Sequence, residues 1–452
     1  MRAIAIPVSV ILIAAAPARI AAQRAIAFTH ASVIDGSDSI PRNDQTVIVR
    51  GDRIVAVGPS RRTNVPPSAR IVDARGQFLI PGLWDMHVHT AVLGGRNLLG
   101  LYVANGVTGV RDMAGDWDTL TTWRRDIAAH RLIGPRIVAS GPYLEGGDVP
   151  IPHILTRTPD EGRAAVDSLV ALGVDFVKVH GQLTRETYFA IARRARERGI
   201  PFAGHVSQLV GSADASDSGQ RSIEHLLAIP APCTPAESIA LRPRFTVQGA
   251  LGRCSSQDLA PLYARFVRNG TWVTPTFTAA FEVASWPNRT VPGDSLAHYL
   301  PVSLRRFVEQ IFPMPDSVPA GADVVGRAMF AKRLEQIARM HRAGVHILAG
   351  TDAPLRNSPP GFGLHEELAL LVQGGMSPFD AISAATIEPA RYFGMLDSIG
   401  TIAPGRLADL VLLAGNPLRD IRQTRRIVAV IANGHLIDAA ERRRLISLAA
   451  RP

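Results

Sequence analysis

The sequence predicts an α/β fold, in which a parallel (β/α)8 barrel is flanked by a small β-domain that both ends of the chain build. Over residues 81–400, short apolar runs alternate with amphipathic helical stretches, and eight of these runs have strand character. Eight strands with helical crossovers are what a (β/α)8 barrel requires. Residues 23–80 and 401–452 instead carry short β-branched runs, so we expect them to form the β-domain together.

The predicted barrel strands end in turns, and helices with one apolar face separate many of them. We place the strands at 83–89, 107–112, 136–141, 174–180, 200–206, 222–226, 271–276 and 345–352. The clearest helices are predicted at 159–172, 184–198, 256–269 and 327–343. Residues 281–325 are rich in proline and aromatic residues and interrupt the pattern after the seventh strand. They form either a lid over the site or a surface excursion.

Two turn signals support the β-domain. Gly51-Asp52 lies between two β-branched runs and predicts a hairpin, and Asn433-Gly434 does the same within residues 426–438. The two ends of the chain are therefore expected to complete one small sheet structure.

The N-terminal residues predict export. Residues 1–22 combine an early positive charge at Arg2, a short apolar stretch and small residues near Ala18 and Ala22, which is the pattern of a cleaved secretory signal. No other segment reaches the roughly 18 apolar residues of a membrane span, and no cysteine follows the apolar stretch. We expect a periplasmic or secreted protein without a stable membrane anchor.

Composition indicates a folded globular protein without a nucleic-acid partner. Apolar residues make up 46% of the chain and charged residues 19%, which argues against extended disorder. The formal net charge of +10 comes from scattered arginines without a nucleic-acid-binding module, so we expect no nucleic-acid partner. Cys233 and Cys254 either pair as a disulfide, which an oxidising compartment favours, or remain two buried thiols. The sequence leaves a homo-oligomer open.

Polar residues recur where the predicted strands end. His87 and His89 are spaced to face the same side of the first strand. Each such residue alone is usually structural, because a strand-end histidine is hydrogen-bonded, a lysine extends to water and an aspartate caps a helix. Their number at one end of a barrel predicts a metal site instead, because barrel enzymes place their chemistry there. The set comprises His87, His89, Lys178, His180, His205, His225 and Asp352.

The segments PGLWDMHVH, DFVKVHG, AGHV, IEHL and AGTDA, in this order, resemble the amidohydrolase superfamily, and within it the imidazolonepropionase-like, prolidase-type group with a binuclear metal centre. The resemblance covers nearly the whole mature chain and implies a distorted TIM barrel with a β-sandwich built from both termini. It further implies two divalent metal ions; zinc is best suited to imidazole and carboxylate ligands, and manganese and cobalt stay open as alternatives. The implied ligands are His87, His89 and Asp352 for one ion, His205 and His225 for the other, and Lys178, carboxylated by CO2, as the bridge.

The resemblance implies a hydrolase that cleaves an amide C–N bond, of dipeptides or N-acyl amino acids, with a hydroxide shared by the two ions. Asp352 would take the proton and pass it to the leaving amine. A lactonase and a cyclic-amide hydrolase on the same fold stay open as alternatives. The lysine disfavours the cyclic-amide hydrolase, since imidazolonepropionase-type enzymes use one metal. A catalytically silent exported binding protein is the alternative from another class, which the complete ligand set disfavours.

The substrate-binding residues are less sharply indicated by the sequence. Prolidase-type relatives need a cation for the substrate carboxylate, and Arg111 and Arg356 are candidates or else structural arginines. His180 faces the same side as Lys178 and contacts either substrate or a ligand. Where many relatives have a Gly-Gly-His stretch, this chain has Asp148 after two glycines. That departure puts prolidase specificity in question. The two side chains that would substitute for the missing histidine are Tyr143 and His153.

Overall fold

The computed structural model of the chain describes residues 24–149, 151–240, 254–284, 299–311, 322–355 and 358–449. The predicted signal segment 1–22, most of the predicted lid 281–325 and the candidate residue Arg356 lie outside the described residues.

Strands and helices alternate through the middle of the chain, while strands predominate near both ends. The strands are β1 Ile26–Val33, β2 Arg42–Arg50, β3 Arg53–Pro59, β4 Arg70–Asp73, β5 Phe78–Pro81, β6 Leu83–Val88, β7 Val107–Asp112, β8 Arg136–Ala139, β9 Tyr143–Glu145, β10 His153–Leu155, β11 Val177–Val179, β12 Phe202–Gly204, β13 Ser222–Glu224, β14 Ala231–Pro232, β15 Cys254–Ser255, β16 Trp272–Thr274, β17 Leu410–Leu413, β18 Ile427–Ala432 and β19 His435–Ile437. The α-helices are α1 Arg96–Ala104, α2 Trp117–Ala128, α3 Pro159–Leu172, α4 Arg185–Glu197, α5 Ser212–Asp217, α6 Pro235–Ala240, α7 Ala260–Asn269, α8 Phe277–Ala284, α9 Val302–Ile311, α10 Ala322–Arg342, α11 Phe362–Gln373, α12 Pro378–Ser383, α13 Ile387–Phe393 and α14 Ala439–Ala449.

Strands from both ends of the chain share one eight-stranded sheet. Its order is β19-β18-β17-β5-β1-β2-β3, with β4 paired to β1, and the antiparallel pair β5–β17 joins the N-terminal and C-terminal strands. Arg50 pairs with Arg53 and Ala432 with His435, which confirms both predicted hairpins. Phe28, Val47, Leu410 and their neighbours form a buried apolar cluster on this sheet. That buried cluster explains the β-branched pattern of the sequence.

Parallel strands occupy seven of the eight predicted barrel positions. The strands β6-β7-β8 form one sheet and β10-β9-β11-β12-β13-β16 form another, and within the described residues the two sheets do not close into a single barrel sheet. Closure of the barrel and a second layer of the terminal β-domain therefore remain predictions.

The eighth predicted strand, residues 345–352, contributes isolated bridges rather than a strand. Ile347 bridges Val273 in parallel, and Met86 donates a backbone hydrogen bond to Ala349, so the segment bonds to both β16 and β6. The extended conformation ends at Asp352, which has φ 62°. Thr351 N–H and Asp352 N–H both donate to the His87 carbonyl. This turn brings Asp352 next to the histidines of β6.

Helix boundaries follow capping residues in the sequence. The Thr158 side chain accepts from Glu161 N–H and the Glu161 carboxylate accepts from Thr158 N–H, so α3 begins in a capping box and occupies the predicted range 159–172. The Thr184 side chain is the N-cap acceptor of α4, and this helix lies within the predicted range 184–198. The apolar faces of α3 and α4 pack into one large buried cluster with β11. Helices α7 and α10 begin at Ala260 and Ala322, a few residues from the predicted starts. Among the described residues, no helix combines the length and apolarity needed to cross a membrane.

Candidate metal centre

His87, His89 and Asp352 converge at the end of β6. Asp352 Oδ1 lies 3.3 Å from His87 Nε2 and 3.1 Å from His89 Nε2. One ligand atom from each of the three residues falls within 4.8 Å of the others. The close approach of the 345–352 segment depends on Gly350, because a Cβ there would lie 2.9 Å from His87 Cβ. The three residues predicted to share one metal therefore lie together.

The remaining predicted ligands lie at the ends of the neighbouring strands. His205 follows β12 and His225 follows β13, and their ring centroids are 4.6 Å apart. The His225 ring is also 4.5 Å from the His87 ring, so the imidazoles form a continuous group. His225 has φ 66°, which turns the chain out of β13 immediately after Glu224.

Lys178 lies buried on β11, next to β12. A Cβ at Gly204 would lie 2.7 Å from Lys178 Cδ, so the glycine on β12 makes room for the lysine stem. Burial lowers the pKa of Lys178 to about 8, against the opposing effect of Glu224 and Asp352. A neutral amine is therefore much more accessible here than in an exposed lysine.

The arrangement of the candidate ligands suits a metal ion better than a hydrogen-bond network. His87 Nδ1 lies 2.9 Å from Glu224 Oε2, whereas His87 Nε2 is buried and has no hydrogen-bond partner within the described part of the chain. That unpaired nitrogen faces a carboxylate oxygen of Asp352. Buried polar atoms without partners are costly, and nitrogen and oxygen ligands at this spacing suit a divalent cation.

The charge states of the group also suit ligation. Burial lowers the pKa of His205 and His225, so both imidazoles stay neutral. Burial alone would raise the pKa of Asp352, but His225, His87 and His89 hold it well below its usual range. Neutral imidazoles and an ionised carboxylate are the forms that bind metals.

Of the two roles that the sequence leaves open for Arg111, substrate cation or structural arginine, its contacts favour the structural one. The residue is fully buried, with Nε donating to the Met86 carbonyl over 2.6 Å. Nη1 donates to Ser222 and Tyr392, and Nη2 donates to Glu224 and Thr274. All five N–H donors of the guanidinium are thus used inside the protein. Burial alone would raise the pKa of Glu224, but Arg111 and His87 hold it well below its usual range.

His180, Tyr143 and His153 lie together beside the ligand group, as the substrate-side prediction requires. The His180 ring centroid is 4.1 Å from that of His205 and 5.0 Å from that of Tyr143, and Tyr143 lies 5.8 Å from His153. His180 Nδ1 is hydrogen-bonded to Glu145 Oε2. The His180 side chain remains 31% exposed, so part of it is accessible to solvent.

Other predicted residues lie apart from the ligands. Cys233 and Cys254 are joined by a disulfide, with their Cα atoms 5.7 Å apart. Asp148, which stands where many relatives have a histidine, has an 85% exposed side chain and pairs with Arg157. It therefore does not replace that histidine in the site.

The buried acidic residues of the site that were missed from the sequence include Glu224, Glu145 and Asp85. Asp85 accepts from Thr351 N–H and Oγ1–H, and burial raises the pKa of Asp85 to about 7. A signal was present, because Asp85 stands two residues before His87 on the same face of β6, and Glu224 immediately precedes His225. A carboxylate inside an apolar strand needs a buried partner, and that requirement could have identified them.

Comparison with known proteins identifies the family of the chain. The profile of the amidohydrolase family matches residues 78–437. An adenine deaminase of Chelativorans sp. (strain BNC1) is 33% identical over 389 residues, covering 82% of this chain and 51% of that protein. The imidazolonepropionase of Geobacillus kaustophilus is 23% identical over 396 residues, covering 81% of this chain and 83% of that protein. The chain spans about half the length, or less, of the adenine deaminases that it matches.

Solved structures with the same fold include hydrolases of several kinds. Bottromycin amidohydrolase superposes with a TM-score of 0.75 at 23% identity, covering 94% of this chain and 90% of that one. A Xaa-Pro dipeptidase with bound methionine superposes with a TM-score of 0.66 at 21% identity, covering 92% of this chain and all of that one. At these identities the likeness concerns the fold.

Proposed function

Because the chain belongs to the amidohydrolase family, we propose that it is a metal-dependent hydrolase that cleaves the amide C–N bond of dipeptides or N-acyl amino acids. The proposal includes the distorted TIM barrel and the terminal β-sandwich expected from the sequence. The single observation that carries it is Lys178, which lies buried in the middle of the short strand β11, close enough to His205, His225 and Asp352 for their charges to interact.

The proposed ligands divide into two sets joined by the lysine. His87, His89 and Asp352 would hold one divalent ion and His205 and His225 the other, with zinc as the best-suited metal. When bound, two such ions lower the pKa of water to supply a nucleophile at neutral pH and polarise the scissile carbonyl. The convergence of the first three ligand atoms within 4.8 Å supports this division.

Lys178 supplies the bridge as a carbamate. Its neutral nitrogen forms a bond to the carbon of CO2 and loses one proton, which leaves an anionic group with two oxygen ligands. The lowered pKa of Lys178, about 8, favours this reaction. The chain contains only two lysines, Lys178 and Lys332, among 49 basic residues. An arginine stays cationic and cannot form the carbamate, so lysine at this one position is consistent with a chemical role.

Asp352 is the proposed proton shuttle. Its carboxylate is ionised, contacts two imidazoles and keeps an 18% exposed side chain, so it borders the space that a substrate would enter. It would accept the proton of the attacking water and deliver it to the leaving amine nitrogen. His180, oriented by Glu145, and Tyr143 would border the same substrate. Arg356 stays the candidate cation for a substrate carboxylate.

The test is a hydrolysis panel with metal-loaded protein. We expect metal-dependent release of amino acids from dipeptides, Xaa-Pro dipeptides included, or from N-acyl amino acids. The sequence relatives favour one second candidate, hydrolysis of a C–N bond in or on a nitrogen heterocycle, so adenine and imidazolonepropionate belong in the panel with lactones. Turnover of these heterocycles or of lactones alone would replace the proposed substrate class. Full metal content without any turnover would favour a binding protein.

Export remains part of the proposal, on the pattern of residues 1–22. N-terminal sequencing of protein secreted by a Gram-negative host should begin near Arg19 or Gln23. A mature protein that retains Met1 would contradict it.

A further inference from the structure

A buried hydrogen-bonded chain runs from Arg111 through Glu224 to His87, behind the candidate metal centre. All three side chains are fully buried. Arg111 Nη2 lies 3.0 Å from Glu224 Oε1 and 2.9 Å from Oε2, and Oε2 also lies 2.9 Å from His87 Nδ1. Ser222 Oγ donates a further hydrogen bond to Oε1 over 2.5 Å. Arg111 and Ser222 therefore hold the Glu224 carboxylate, and the remaining lone pair of Oε2 points to His87 Nδ1.

This arrangement determines which nitrogen of His87 carries hydrogen. An ionised carboxylate only accepts hydrogen bonds, so the hydrogen between Glu224 Oε2 and His87 belongs to Nδ1. The other nitrogen, Nε2, then presents a lone pair toward Asp352 Oδ1, 3.3 Å away. Two acceptors that face each other repel unless a cation lies between them, which matches the lack of a hydrogen-bond partner for Nε2 in the described residues.

We propose that Glu224, itself held by Arg111, is a positioning residue that fixes His87 as an Nε2 ligand of the metal shared with His89 and Asp352. The inference rests on the proposed metal-dependent function and extends it to two residues outside the ligand set. A carboxylate behind a ligating imidazole orients the ring and increases its basicity, and its loss lowers metal affinity by about 10–100-fold.

The effect should be larger at one of the two metal positions. His225 Nδ1 contacts the neutral hydroxyl of Thr276 over 2.7 Å rather than a carboxylate. Among the described residues Glu224 is hydrogen-bonded to no other ligand nitrogen and acts on His225 and Lys178 through its charge alone, so the ion held by His205 and His225 should lose less affinity when Glu224 changes.

The variant Glu224→Gln tests the inference, with Glu388→Gln as its matched control. Glu388 also lies between an arginine, Arg391, and a histidine, since its Oε2 is 2.8 Å from His346 Nδ1, but this trio lies away from the ligands. Zinc affinity is measured by titration against a competing chelator, and the visible spectrum of the cobalt-loaded protein reports the ligand geometry. If Glu224→Gln fails to fold, the double variant Arg111→Met/Glu224→Gln is used in its place, because it removes both buried charges together.

We expect Glu224→Gln to lower the affinity for one of the two zinc ions by about 10–100-fold and to change the cobalt spectrum. Glu388→Gln should match wild type in both measurements. If wild type and Glu224→Gln bind two zinc ions with equal affinity and give equal spectra, the positioning role is wrong and the proposed function stands. If wild type binds no metal, the proposed function fails and the inference fails with it.

Discussion

Replacing Arg111 by methionine should destabilise the protein strongly, because Arg111 is the buried counter-ion of Glu224. The guanidinium uses every donor on internal partners, among them Met86 on β6 and Thr274 on β16, and its Cζ lies 5.0 Å from the ring centroid of Tyr392. Removing one partner of a buried ion pair leaves an uncompensated charge, which typically costs about 3–5 kcal/mol. We expect a loss of that size for Arg111→Met.

Urea unfolding of the metal-free protein measures this loss. The double variant Arg111→Met/Glu224→Gln should recover at least half of it, because no buried charge is then left unpaired. The control is Arg391→Met, which breaks the partly exposed pair with Glu388 and should cost about 0–1 kcal/mol.

The result that would refute this reasoning is an Arg111→Met protein as stable as wild type whose KM rises for substrates with a free carboxylate. Arg111 would then contact substrate after all, and the buried pair with Glu224 would contribute nothing to stability.

Further predictions concern the proton shuttle, a buried carboxyl group and the disulfide. Asp352→Asn should lower kcat by about 10²–10⁴-fold in assays at full metal content, and near-normal turnover would mean that another group is the base. Burial raises the pKa of Glu367 from 4.5 to about 8, so the native state holds a proton that the unfolded chain releases in this window. Stability should therefore fall as pH rises from 4.5 to 8, by up to about 1.4 kcal/mol per pH unit, and urea unfolding should show a flatter slope for Glu367→Gln; identical slopes would contradict this. Thiol titration of denatured, non-reduced protein should find Cys233 and Cys254 unreactive, and reduction should cost about 3 kcal/mol of stability; two free thiols would contradict the pairing.

The strands and the positions of the candidate ligands could be predicted from local sequence patterns. Two histidines at positions i and i+2 share one strand face, and the apolar runs of β6 and β7 mark buried strands, so the positions of His87 and His89 follow from a few residues. The capping box at Thr158 similarly marks the start of α3. Each of these signals lies within a short window of the chain.

The role of Arg111 could not be predicted in this way. Its partners Ser222 and Tyr392 stand 111 and 281 positions away, so only the folded arrangement of strands shows that the guanidinium is enclosed. The turn at the end of the segment 345–352 could not be predicted for the same reason. Thr351 and Asp352 turn toward the carbonyl of His87, which is far away in the sequence. Local patterns therefore locate the candidate ligands but miss the buried charges behind them.

The metal content of Lys178→Ala tests the central claim most directly, because a carbamate bridge requires this lysine. Lys332, the other lysine of the chain, pairs with Glu237 away from the site, so Lys332→Ala is the matched control. Purified wild type and Lys332→Ala should each carry two divalent ions per chain and equal activity. Lys178→Ala should lose at least one ion and most activity, both partly restored by a short carboxylic acid, and Lys178→Arg should behave no better. Equal metal content and equal turnover in wild type and Lys178→Ala would contradict the account.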